Sequence, residues 1–160
     1  MGKKAINKNG VIKVYEGVPK VLYSSTGTYL NASATTEGQL REAGLFDVVI
    51  PDGYDSRIHD LSQIYFDSAN TQFTYDKTNK TWSQSLNELK EQKIANLKSS
   101  ANSKLTETDW YYIRLTALGT AVPQQIIDDR AVIIAAVSTK EAEINALTTK
   151  ASVVTYDISL

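Results

Sequence analysis

Few residues in this chain have the chemistry for catalysis or metal binding. The single histidine, His59, lies in the polar run Asp55-Ser-Arg-Ile-His-Asp60. A metal centre needs three or four nitrogen, oxygen or sulfur donors in fixed geometry. His59 and its flanking aspartates reach that number only with distant help, so the simpler reading is an exposed loop histidine. Asp52, Asp55, Asp60 and Asp67 raise two further possibilities. Glycoside hydrolysis needs two carboxyl groups facing each other about 5–9 Å apart, and calcium needs a set of hard oxygens. The spacing of these aspartates is not that of a calcium-binding helix–loop–helix, and each falls at an expected turn. Aspartate is favoured there because its side chain bonds nearby backbone N–H groups. The chain carries no G-x-S-x-G elbow, no G-x-x-x-x-G-K-[ST] phosphate loop and no G-x-G-x-x-G, each of which places a nucleophile or cradles phosphate. It has no cysteine, which removes disulfides, thiolate metal sites and a cysteine nucleophile. No catalytic residue, cofactor or metal is assigned, and the expectation is a protein that is not an enzyme.

The bulk composition agrees with that of an ordinary folded chain. The 160 residues are 42% hydrophobic and 22% charged, with a net charge of −1, which fits one domain or two small ones. Lys3, Lys4, Lys8, Lys13 and Lys20 stand against Glu16 alone in the first twenty residues, five positive charges to one negative. Such a cluster can touch phosphate, but it lacks the interleaved aromatics of a single-strand binding surface. It reads as a solvated terminus, and no nucleic-acid partner is expected. No run approaches the ~18 apolar residues of a membrane span, so no membrane partner is expected. No apolar segment follows Lys3 and Lys4, so no secretory signal is read and synthesis in a cytoplasm is expected. In that setting the sequons Asn31-Ala-Ser33 and Asn79-Lys-Thr81 read as chance matches.

The elements that would position these residues divide near residue 82, with 1–81 β-rich and 82–160 helical. Val11–Tyr15 and Val18–Tyr23 are rich in β-branched and aromatic residues, with turn signals at Asn9-Gly10 and Glu16-Gly17. Gly27–Thr36 reads as loop or edge strand. Thr36–Gly44 reads as a short helix, capped by Thr35 or Thr36 and stopped by Gly44. Leu45–Ile50 reads as a buried strand ended by Pro51, and Tyr54–Asp60 as polar loop. Gln63–Phe66 and Gln72–Tyr75 flank a polar turn and predict a hairpin, with Tyr65 and Phe73 in the core. After Trp82 the period changes. Leu86, Leu89, Ile94, Leu97, Ala101 and Leu105 predict one amphipathic helix, capped by Ser83 or Ser85, with Lys90, Glu91, Lys93 and Lys98 on its other side. Trp110, Ile113, Arg114, Ala117 and Leu118 predict a second helix ending at Gly119, with Thr106 or Thr108 as its cap. Pro123 suits the first turn of a third, which runs from Ile127 to about Thr148 with Asp128 and Asp129 near its positive end. Ser152–Ile158 reads as a terminal strand. The fold class is therefore α+β: a small N-terminal β-rich region, a C-terminal helical hairpin of three helices, and a short terminal strand. The Leu86–Leu105 face lacks a sustained heptad, since the step from Leu89 to Ile94 is five. Packing within the chain is preferred over a trimeric coiled coil.

One stretch carries a likeness. Leu105-Thr-Glu-Thr-Asp-Trp-Tyr-Tyr-Ile-Arg114, followed by Val122-Pro-Gln-Gln-Ile-Ile-Asp-Asp-Arg130 and an Ala/Ile run, resembles a module of small tailed-bacteriophage tail and tail-fibre-associated proteins. Its members read L-x-x-T-D-W-x-x-x-R, then a short loop ending in Ile/Val-Pro, then a helix with an arginine. Gly44-Leu-Phe-Asp-Val-Val-Ile-Pro51, Tyr54-Asp55, Ile64–Asp67 and Phe73-Thr-Tyr75 also resemble such proteins, so the likeness spans about residues 44–158. It implies a structural component of a virion (tail, fibre, baseplate or neck) assembled in a bacterial host. Its partners would be other virion proteins, with a homo-oligomer among the possibilities. Tail-fibre assembly proteins carry the same module, but the N-terminal β region here differs from theirs. A carbohydrate-active enzyme is the remote alternative. Within the module, Thr108 and Asp109 would cap the short helix and Trp110 would bury its ring between helices. Arg114 and Arg130 would pair with Glu107, Asp128 or Asp129. Trp110, Tyr111, Tyr112, Arg114 and Arg130 are the expected interaction residues. Tyr111 and Tyr112 cannot share one helical face, so one of them is expected to face outward.

Overall fold

The computed structural model describes residues 2–23, 28–30 and 34–160. The chain is α+β and folds as two compact units, Met1–Lys80 and Thr81–Leu160.

In the first unit, β1 (Lys4–Lys8) and β2 (Val11–Tyr15) form a hairpin whose turn residues Asn9 and Gly10 both have positive φ, 53° and 84°. That pair of angles matches the twist of the flanking strands. β3 (Val21–Tyr23) pairs with β4 (Thr28–Leu30). The remainder of the expected Gly27–Thr36 loop falls largely outside the described residues, as does the Asn31 sequon. α1 (Glu37–Glu42) opens with a capping box in which Thr36 and Gln39 satisfy each other's backbone N–H groups. Gly44 follows with φ 85°, the left-handed stop expected of it. β5 (Leu45–Asp47) joins the far side of β1, giving the sheet order β2-β1-β5. Leu22, Leu40, Ala43 and Leu45 close over Ile6, with Tyr15 and Val18 at the edge.

The rest of the unit departs from the expected plan. The Tyr54–Asp60 stretch is not all loop. Its end begins β6 (His59–Leu61), which pairs with β9 (Lys77–Asn79), while β7 (Tyr65–Asp67) pairs with β8 (Gln72–Thr74) as the expected hairpin. Strands of three residues carry too little pattern to be read from spacing. Phe73 is buried as expected, but Tyr65 is 39% exposed, with its hydroxyl donating to Asp76. Phe46 and Phe66 pack beside the buried Phe73, Phe46 half-buried and Phe66 exposed. Their rings meet at 4.9 Å, and Phe66 meets Phe73 edge-on at 5.1 Å, a favoured aromatic geometry.

The second unit begins with α2 (Leu86–Thr106), capped by a Ser85–Glu88 capping box. α3 (Asp109–Leu118) ends at Gly119 with φ 66°. α4 (Gln124–Ala146) follows Pro123 and packs along α2 as the expected hairpin. The predicted terminal strand is instead a helix, α5 (Lys150–Thr155), which also packs on α2. Thr149 caps it by accepting from the Ser152 N–H, and Val153 is fully buried. A lone β-branched run has no neighbouring strand to satisfy its backbone in this unit, and such propensity yields to tertiary packing. Leu89, Leu97, Ala101, Ile144 and Val153 form the buried set. Lys90 and Lys93, expected on the solvent side, instead donate to the carbonyls of Asn145 and Val154 at 2.7 and 3.0 Å. Both carbonyls lie near helix C-termini, where a cation is favoured.

Both tryptophans, Trp82 and Trp110, belong to the helical unit. Leu97→Ala should destabilise that unit by about 2–5 kcal/mol, seen as an earlier tryptophan-fluorescence transition in urea. Phe73→Ala should cost the β unit about 3–5 kcal/mol and leave the tryptophan transition in place.

Candidate functional site

The five expected interaction residues fall on two adjoining helices of the second unit: Trp110, Tyr111, Tyr112 and Arg114 on α3, and Arg130 on α4. Arg130 is the most constrained. Its side chain is 19% exposed, and its Nη1 donates to the Leu105 carbonyl at 2.6 Å, the Thr108 Oγ1 at 2.7 Å and the Asp109 carboxylate at 2.8 Å. The guanidinium also lies over the Tyr112 ring, 4.8 Å from its centre. The ion-pair partner is therefore Asp109, not Glu107, Asp128 or Asp129. Asp128 and Asp129 instead accept from Gln124 and Gln125 one turn back. Thr108 and Asp109 do not cap α3 as expected. The Thr108 hydroxyl donates to the Leu105 carbonyl, and Asp109 is turned to Arg130. The Asp109 carboxylate and a planar cation on α4 are the stronger match, because a charged hydrogen bond outweighs a neutral cap.

Trp110 does not insert between helices. It is 48% exposed, its ring rests on Tyr111 at 3.8 Å, and Arg114 lies over it at 5.1 Å. Trp110, Ile113, Arg114, Ala117 and Leu118 recur at helical spacing and form the expected helix, but its apolar members are not packed away. Instead Ile113 is 68% and Leu118 74% exposed, and α3 buries none of its residues. Tyr111 is half-buried and Tyr112 exposed, so the outward one of the pair is Tyr112. α4 behaves similarly along its first half. Ile144 is its one buried residue, while Ile127, Val132 and Ile134 are exposed. Beside them runs a groove of about 220 Å3 between α2 and α4, lined by Ala101, Leu105, Ile134 and Val137. The residues missed in the sequence are therefore Ile113, Leu118, Val132 and Ile134. A signal for them existed: Ile126, Ile127, Val132, Ile133 and Ile134 lie round more than one side of α4, more than a single packed face absorbs.

The polar cluster in the other unit is engaged in local hydrogen bonds. His59 is half-buried in a strand, not a loop, and its Nδ1 accepts from the Asp55 N–H at 3.0 Å. The Arg57 side chain and backbone N–H both donate to Asp55, holding its carboxyl down to about 2. Asp67 closes its turn by accepting from the Ala69 and Asn70 N–H groups, whereas Asp60 lies in β6. Among the described residues no three His, Asp or Glu side chains converge as a metal would need, and no helix is long and apolar enough to cross a membrane. The lysine-rich start is largely engaged. Lys3 pairs with Glu16 at 2.9 Å, and the buried Lys4 bridges Glu37 and Asp47 at 2.7 and 3.0 Å. Burial works to lower the Lys4 pKa, but the two carboxylates outweigh it and the net shift is upward.

Comparison with protein-family models, curated proteins and solved structures finds no match to this chain.

Arg130→Ala removes a cation from three acceptors and should lower the helical unit's stability by about 1–3 kcal/mol in urea unfolding. Arg130→Lys should recover only part, since a lysine cannot reproduce the planar fork. The Asp55 carboxyl has a folded-state pKa below its ordinary value. Its contribution to folding is present above about pH 4 and fades as the pH falls toward about 2. Arg57→Ala should move the Asp55 carboxyl titration, followed by NMR, up toward 3.8.

Proposed function

We propose that this chain is a non-enzymatic structural component of a tailed-phage virion that works by protein–protein docking through α3 and the first half of α4. The observation that carries the docking part is the outward-turned apolar face of α3. Trp110, Ile113 and Leu118 stand in water on a helix with no buried residue. Single exposed apolar residues are ordinary, but a contiguous set of them marks an interaction surface. Trp110, with Tyr111, Tyr112 and Arg114 beside it, supplies the residue types enriched where binding energy concentrates. The virion part rests on the resemblance of Leu105–Arg130 to the phage tail module. In this reading the Asp109–Arg130 pair holds the helices in register, and Trp110, Ile113 and Leu118 enter the partner. Asp55 and Asp60 form ion pairs and Asp67 closes a turn, and the proposal gives the chain no catalytic step.

The test is quantitative mass spectrometry of purified particles of a phage that encodes this chain. The expected result is the chain at a fixed copy number per particle. Absence from the mature particle overturns the virion reading. If it is instead recovered from infected cells bound to a fibre protein, the role becomes that of a tail-fibre assembly chaperone, which the same exposed face would serve.

A further inference from the structure

We infer that Asn9 is a modification site. Its side-chain amide is lost by attack of the next residue's backbone nitrogen when the tip of the β1–β2 hairpin opens, and Asn7 holds that reaction back in the folded chain. The inference rests on the hairpin and is independent of the docking reading. Asn9 is the one asparagine of this chain that is followed by glycine. A glycine leaves its backbone nitrogen unshielded, and a Cβ at Gly10 would meet nothing within 4 Å. Asn9 and Gly10 are both exposed. Asn9 also borders a recess of about 350 Å3 with Asn7, Lys8 and Glu42, so water reaches the amide.

The reaction needs only water. The Gly10 nitrogen gives up its proton to solvent and attacks the Asn9 Cγ. A new N–Cγ bond forms, the Cγ–Nδ2 bond breaks and ammonia leaves, giving a cyclic imide. Water then opens either C–N bond of the ring. One product is aspartate. The other is isoaspartate, in which the main chain runs through Cβ. Either product adds one negative charge to a chain whose net charge is −1.

Two features of the folded hairpin oppose ring closure. The Gly10 N–H donates to the Asn7 Oδ1 at 3.0 Å, so the proton that must leave is held by an acceptor. Closure also turns the Asn9–Gly10 peptide out of the left-handed turn in which Asn9 has φ 53° and Gly10 φ 84°. β1 and β2 stay paired beside that turn, from Lys8 opposite Val11 to Lys4 opposite Tyr15. The imide therefore forms from an opened tip, whose population is set by the free energy of local opening. Once formed, isoaspartate lengthens the turn by one bond, and turn length fixes the register of a hairpin. The damage falls on the core, because β1 carries Ile6, over which Leu22, Leu40, Ala43 and Leu45 close.

The test is peptide mapping by mass spectrometry after the full chain is held at mildly alkaline pH, in buffer and in guanidinium chloride. Trypsin releases Asn9–Lys13, since Lys8 and Lys13 bound it, and the amide-to-acid mass gain is scored in that peptide. Asp52-Gly53 forms the same kind of imide by losing water and returns to its starting mass, so it does not interfere. Unfolded, Asn9 should convert about tenfold faster or more than in the native chain. Asn7→Ala should speed the native reaction about three- to tenfold, the equivalent of one neutral hydrogen bond, and leave the unfolded rate unchanged. Asn7→Asp, whose carboxylate still accepts from the Gly10 N–H, should stay slow. If Asn7→Ala unfolds the chain, hydrogen exchange of the wild-type Gly10 amide takes its place and should show protection. No conversion at Asn9 in the unfolded chain overturns the proposal, as do equal native and unfolded rates. So does a folded Asn7→Ala chain no faster than wild type, or an unprotected Gly10 amide.

Discussion

The helical unit depends on one guanidinium. Arg130 meets the Leu105 carbonyl in the last turn of α2, the Thr108 hydroxyl in the turn, and the Asp109 carboxylate at the start of α3. Three helices are thus fixed to each other at one atom. The end of α2 is where carbonyls lack intrahelical donors and where the helix dipole favours a cation. Removing the cation there leaves several acceptors to find other partners, a larger loss than that of any single neutral bond.

This junction explains how α3 can sit against the hairpin while burying nothing. A helix is usually held by its apolar stripe. α3 is held instead at its first turn by Asp109 and along one side by Tyr112 beneath Arg130. Its apolar side is consequently not consumed by the fold. Arg114 over Trp110 and Tyr111 against the same ring stiffen the aromatic group where it stands, and a pre-ordered aromatic gives up less entropy when covered. The β unit uses the opposite arrangement. There a buried lysine, Lys4, is neutralised by Glu37 and Asp47 between the sheet and α1, and the apolar residues Ile6, Leu22, Leu40 and Leu45 turn inward.

What could be read from the sequence follows element length and local chemistry. The Thr36 and Ser85 caps, the stops at Gly44 and Gly119, the Asn9-Gly10 turn and the period of α2 are local signals, and each appears where expected. The three-residue strands β6 and β9 carry no such signal and exist because Ile58 and Lys80 bring them together from a distance. Ser152–Ile158 misled because β-branched residues suggested a strand, while burial of Val153 against α2 and the Thr149 cap decided for a helix. The candidate site was legible in residue type but not in direction. Trp110, Tyr112, Arg114 and Arg130 drew attention by their chemistry. Trp110 was expected between helices and stands in water instead, since the spacing of apolar residues looks the same whether they face their own chain or another.

That ambiguity can be resolved only by asking what the rest of the fold has already filled. α2 presents one apolar stripe. Its Leu89, Leu97 and Ala101 are covered within a unit in which α4 and α5 both pack on that helix. α4 supplies more apolar residues than one stripe can receive, and α3 arrives with a full apolar side of its own. On α3, Trp110 and Ile113 lie about one turn apart and Leu118 farther round the helix. A folded chain tolerates isolated apolar residues at its surface, and only large apolar patches mark interaction surfaces. The fold of α2–α5 thus leaves unfilled the surface that the polar junction at Arg130 holds in place.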